Sequence, residues 1–272
     1  MSRIEGSHMD LRHRPIGSAT IVATWLMLAA TTASAQAAPP AAANGWTFTV
    51  APYLWATALD GDASVGRVDT DVDMSFGDIL EDLSFGGMLL IDAEKNRFGI
   101  AVNGVFARVS PDAEVGPFEI DTTSDTLQVG VAPYYRVVDW AYRVSPSGKP
   151  LRLRIEPTAG IRVTHLRVEL QVRGGRSVDQ SESWVDPLVG SRFALDLADR
   201  WTLSGEADVG GFGVGSDFAW NAQAFLGYQT SLLGRPTTLV AGYRALSQDY
   251  ENGNFEWDVT MHGPVLGVAM RF

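Results

Sequence analysis

The chain has 272 residues and no cysteine, so no disulfide holds it together. Its formal charge of −11 excludes a nucleic-acid partner, which would need a surplus of lysine and arginine to meet phosphates. With 46% hydrophobic residues it can bury a sizeable core.

Arg12, His13 and Arg14 precede an apolar run from Ile21 to Ala30, and the small residues Ala33, Ser34 and Ala35 follow at the spacing a signal peptidase reads. The run is shorter than the ~20 residues that cross ~30 Å of hydrocarbon, so residues 1–35 read as a cleaved secretory signal rather than an anchor. Residues 1–8 carry what looks like the remnant of a cloning site (Gly6, Ser7 and His8), with Met9 as the natural start. Residues 36–45 form a Pro/Ala-rich lead-in, and 46–272 the folded domain.

No later stretch reaches ~18 apolar residues, so any membrane crossing must be made by strands. Alternation with a period of two marks ten of them. They are Trp46–Ala58, Ser84–Glu94, Arg97–Val109, Thr123–Val137, Leu151–Arg167, Trp184–Leu197, Trp201–Val214, Phe218–Thr230, Pro236–Tyr250 and Phe255–Phe272. An even count puts both ends on the periplasmic side, with short turns such as 94–96 and 198–200 there and the long acidic segments on the outer surface. Within the longest of these, 60–83, Asp60 and Gly61 offer a hairpin turn that could start an extra strand pair, and 78–83 could make one helical turn.

The faces separate cleanly. At the C-terminus Pro264, Leu266, Val268, Met270 and Phe272 share one face, and Gly263, Val265, Gly267, Ala269 and Arg271 the other. In the strand from Phe218, Trp220 and Tyr228 bracket Ala222, Ala224 and Leu226, the spacing expected of aromatic rings at the two interfaces of a membrane. Pro52, Pro133, Pro157, Pro187 and Pro264 fall inside strands, all on the face assigned to lipid, and bulges would have to absorb them. The expectation is an all-β fold: an antiparallel, transmembrane, up-and-down β-barrel of about ten strands, eight or twelve being the alternatives. A lipid-free periplasmic β-protein is the remaining one.

The last strand, ending on Phe272, resembles the terminal strand by which bacterial outer-membrane proteins are recognised during assembly. The segments 51–55 (APYLW), 184–190 (WVDPLVG), 208–216 (DVGGFGVGS) and 262–267 (HGPVLG) resemble a family of uncharacterised bacterial outer-membrane β-barrel proteins, small porin-like or OmpA-like barrels. The resemblance covers nearly all of residues 46–272. It implies a barrel in the outer membrane of a Gram-negative bacterium and no defined activity. Outer-membrane lipid, lipopolysaccharide and the barrel-assembly machinery are the expected partners, with Phe272 as the assembly signal.

On the inward face lie Asp92, Arg136, Arg154, Glu156, Arg162, Asp186, Arg192, Glu206, Asp208 and Arg244. A balanced set of charges in a narrow lumen is expected to pair internally and fill the space. A structural or interaction barrel with a plugged lumen is therefore the first reading, and a narrow passive channel for small polar solutes the second. An outer-membrane enzyme acting on lipid or peptide comes last, because His165 and His262 read as interfacial residues, the latter near Asp258, with no nucleophile motif beside them. No catalytic residue, metal or cofactor is expected. Asp69, Asp71 and Asp73 alternate along a loop without the Gly and Glu of a calcium loop. The glycines of 210–215 lack the lysine and following helix of a phosphate loop, and read as room for curvature or for a bulky neighbour such as Tyr53 or Trp55.

Overall fold

The computed structural model describes residues 45–65, 68–77, 79, 83–109, 112–115, 118–172, 177–253 and 255–272. The expected signal peptide and most of the lead-in lie outside the described residues. Among these residues fourteen strands form: β1 Thr47–Trp55, β2 Ala58–Val65, β3 Val68–Met74, β4 Leu83–Lys95, β5 Phe98–Val109, β6 Asp112–Val115 and β7 Phe118–Tyr135. They continue as β8 Val138–Val144, β9 Pro150–Val172, β10 Ser177–Asp196, β11 Trp201–Gly211, β12 Phe218–Leu232, β13 Arg235–Asn252 and β14 Phe255–Arg271.

All pairings are antiparallel between sequence neighbours in the order β1, β4, β5, β7, β9 to β14, and β14 returns to β1. The sheet thus closes on itself as a ten-stranded barrel and leaves no edge in the belt. The last residue takes part in the closure: Phe272 and Phe48 exchange backbone hydrogen bonds of 2.8 and 3.2 Å.

Four other strands extend these ten. Beyond a break at Ala56 and Thr57, β2 continues β1 along the upper half of β14, and β3 pairs with it. The extra pair anticipated here exists, but Asp60 and Gly61 lie inside β2, opposite Asp73 and Val72, and the chain reverses after Val65. A helical turn begins earlier than expected, around Phe76, and most of 78–83 lies outside the described residues. β6 folds back on β7. β8, absent from the sequence reading, continues β7 along β9 after a one-residue change of register, from Tyr134 opposite Thr158 to Val138 opposite Ile155.

The five prolines are absorbed without distorting the belt, because each sits where the ladder on one side has lapsed. The β1–β14 pairing skips Ala51 and Pro52, and the β7–β9 pairing skips Ala132 and Pro133. Pro157 faces the break between β7 and β8, Pro187 lies just beyond the β10–β11 ladder, and Pro264 faces the break between β1 and β2. A missing N–H therefore leaves no carbonyl short of a donor it would otherwise have. At the last break a side chain on Gly263 would collide with the Ala56 carbonyl oxygen, so the neighbouring residue must be glycine.

The outward face carries the apolar residues. Leu153, Leu195, Leu203, Leu226, Ala241, Leu266 and Leu54 are successive cross-strand partners in one row around the wall. Below them the aromatic pair Trp201 and Tyr228, with ring centroids 5.0 Å apart, begins the periplasmic margin. From Leu153 to Val163 the chain rises ~33 Å along β9, or ~25 Å at a tilt of ~40°, which matches a hydrocarbon layer. Immediately above, the outward row turns polar: Arg108, Asp125 and Arg167 are cross-strand partners, and Arg108 clasps both oxygens of Asp125.

Candidate functional site

Strand parity sends nine of the ten predicted charges inward, and Arg136, in the link between β7 and β8, joins them, so that the ten occupy three tiers of the lumen. In the periplasmic tier, Arg136 donates from Nε to Glu156 (2.8 Å) and from Nη2 to Glu94 (2.7 Å). Arg192 donates from Nη1 to Asp92 at 2.9 Å and lies 4.3 Å over the ring of Tyr134, whose hydroxyl donates to the other Asp92 oxygen at 2.9 Å. Arg154 reaches Asp196 at 3.2 Å, and Thr202 donates to the same carboxylate at 3.1 Å.

In the middle tier, Arg162 donates to Asp208 at 2.7 Å, and Asn221 donates to the second Asp208 oxygen at 2.8 Å. Arg244 is buried, and among the described residues it meets no carboxylate. It donates to Asn221 (3.0 Å) and Tyr53 (3.2 Å), with its guanidinium 4.6 Å over the ring of Trp55. Glu206 accepts from Gln223 at 3.1 Å.

The upper tier differs from expectation. Asp186 lies directly across from Arg162, yet the two form no ion pair. Its fully buried carboxylate accepts from the Ser216 N–H (2.6 Å), the Ser216 hydroxyl (3.0 Å) and Gln248 (2.9 Å). The glycines explain this. β11 ends at Gly211 rather than Val214, and positive φ at Gly211 and Gly213 folds the loop back so that Ser216 reaches Asp186. A Cβ on Gly215 would meet Val185 and Asp186, so the close neighbours are these and not Tyr53 or Trp55. Above this tier Trp184 stacks on Tyr250 at 4.2 Å, with Phe255 and Leu166 beside them.

Glu94, Asp196 and Tyr134 were missed in the sequence reading, although Glu94 and Asp196 share the parity of Asp92 and Asp186. Both stand at strand ends, where alternation carries least weight.

His165 and His262 lie outside the lumen, on the outward rim. His165 Nδ1 is 2.7 Å from the Ser183 hydroxyl. The carboxylate beside His262 is Asp60, at 2.7 Å from Nε2, and not Asp258, while Nδ1 lies 2.6 Å from the Tyr243 hydroxyl. Asp69, Asp71 and Asp73 lie on β3, and among the described residues no group of three or more metal-ligating side chains forms.

At the outer hairpin, Asp249 faces Asp258 across β13 and β14. Partial burial, then repulsion from Asp258, Asp217 and Glu251, holds the Asp249 carboxyl above its usual range. A carboxyl raised on folding leaves the fold more stable when protonated. That stability is lost as pH rises from the ordinary carboxylate value through the raised one. Asp249→Asn is therefore expected to slow proteolysis of this hairpin at neutral pH and to change nothing below about pH 3, where both states are protonated. Equal effects at both pH values would contradict the assignment.

A closed antiparallel barrel with leucines outward, aromatic rings at its margin and a buried polar interior is a transmembrane β-barrel of the outer-membrane type. No protein-family model and no curated protein matches the chain. Among solved structures, it is similar to the attachment invasion locus protein Ail of Yersinia pestis, at 13% identity and a TM-score of 0.39, over 84% of this chain and 99% of that one. It is also similar to Neisserial surface protein A, at 14% identity and a TM-score of 0.32, over 84% and 99%. A third is the translocator domain of autotransporter NalP from Neisseria meningitidis, at 13% identity and a TM-score of 0.38, over 85% and 89%.

Proposed function

We propose that the chain is a structural and interaction barrel of the Gram-negative outer membrane, with a lumen plugged by its own side chains and acidic strand ends held outside. The observation that supports this is burial across the middle and upper lumen: Asp186, Gln248, Leu246 and Val259 are 0% exposed. Residues lining a water-filled pore would be wetted. Refolded protein in planar bilayers is expected to give no conductance steps, and reproducible steps from the wild-type chain would overturn the plugged reading. One observation favours a narrow channel instead, since Arg162 Nη1 and Thr158 Oγ1 are buried without a partner among the described residues, and water or a polar solute would satisfy them.

The assembly role of Phe272 belongs to the same proposal. Besides its pairing with Phe48, its ring lies 5.3 Å from the Arg235 guanidinium. Deleting Phe272 is expected to lower the folded, heat-modifiable fraction both in cells and on refolding into lipid, with the greater loss in cells. Equal losses would leave Phe272 a closing residue only.

A further inference from the structure

The outward wall has a recess at its periplasmic margin. Leu151 faces outward by register, opposite Arg143 of β8, yet it is only 4% exposed. It floors a groove of about 560 Å³ between the β8–β9 and β10–β11 turns, walled by Arg143, Arg200, Leu197, Trp201 and Tyr228. The groove sits one row below the leucines, where acyl chains give way to headgroups.

Its charge is not balanced. Arg143 and Arg200 are both exposed, and among the described residues Arg200 donates only to the Tyr228 hydroxyl, at 3.1 Å. The one carboxylate in the lining, Asp199, accepts from Ser147 at 2.7 Å, and the Lys149 ammonium donates to the Asp199 carbonyl oxygen at 2.9 Å. Two guanidiniums thus remain beside an apolar floor and two aromatic rings.

The geometry points to a binding site for an anionic phospholipid of the periplasmic leaflet. The phosphate would lie between Arg143 and Arg200, and an acyl chain would run over Leu151 and Leu197 toward the leucine row. Guanidiniums suit this role because they hold phosphate through paired N–H donors and stay charged at any physiological pH. The site rests on the barrel being embedded in lipid, which heat-modifiable migration of the same sample checks separately.

The test is native mass spectrometry of the detergent-solubilised barrel after incubation with phosphatidylglycerol. The wild-type protein is expected to retain one lipid, and Arg143→Gln with Arg200→Gln to retain it ~10-fold less. Arg167→Gln, on the opposite margin, is expected to retain it fully. Excess inorganic phosphate is expected not to displace it, since the floor requires an acyl chain. Equal retention by the wild type and the double variant would overturn the site, as would displacement by phosphate or equal retention of an uncharged diacylglycerol. If the double variant fails to migrate as a folded barrel, the two single variants, which leave the floor intact, decide by the same measure.

Discussion

Arginine at position 222 is expected to destabilise the barrel by ~2–4 kcal/mol, the cost of a charge near the bilayer midplane on the lipid face of a barrel. Ala222 is exposed on the outward side of β12, in the cross-strand row of Ala207, Ser191 and Pro157, which crosses β9 between Leu153 and Val163 and so lies inside the apolar span. Leu226→Arg, nearer the periplasmic girdle, is expected to cost less for the charge, with some loss of leucine contact added. Gln223→Arg points the same side chain into the lumen beside Glu206, where a carboxylate can receive it, and is expected to be milder than either. Urea unfolding in lipid vesicles measures all three, and equal costs at 222 and 223 would mean that the two faces had been exchanged.

The second large effect is expected at Arg162, whose side chain is 5% exposed and whose partner Asp208 is 2% exposed. Arg162→Met leaves Asp208 held by Asn221 alone and is expected to cost ~3–5 kcal/mol, the usual penalty for stranding a buried charge. Removing both charges together should cost less than the sum of the single changes. Arg192 should lose less when replaced, because it is more exposed and Tyr134 still donates to Asp92. If the lumen conducts, water reaches these groups, single neutralisations leave stability nearly unchanged and ion selectivity shifts instead. Unfolding and single-channel recordings on the same variants separate the two cases. Variants that change neither property would show that the residues share no lumen.

The wall was legible in the sequence because a period of two survives wherever lipid lies on one side and polar side chains on the other. The pattern around Leu226 and Leu266 carries both strand and facing. β8 was passed over although Val138, Trp140, Tyr142 and Val144 alternate with Asp139, Ala141 and Arg143, because this seven-residue run follows β7 with only Arg136 and Val137 between them and no turn signal to mark a new strand. The ten lumen charges could be listed from parity alone, but their partners could not. Asp186 is satisfied from a loop 30 residues away and His262 by a carboxylate 202 residues away, and neither distance leaves a trace in local pattern. Arg244, satisfied by neutral groups and a ring, broke the rule that a buried charge seeks an opposite one.

The lapses in the ladder beside the prolines constrain which barrels this chain can close. Sliding one strand past its neighbour by two residues keeps every side chain on its proper face, so hydrophobicity alone would tolerate the shift. Such a slide would carry Pro133 or Pro264 onto a position where the adjoining strand presents a carbonyl, and would place an N–H against the gap. The five rings thereby penalise staggers that leucine and charge cannot distinguish, and they constrain the shear of the barrel, and with it its radius, independently of any lumen contact.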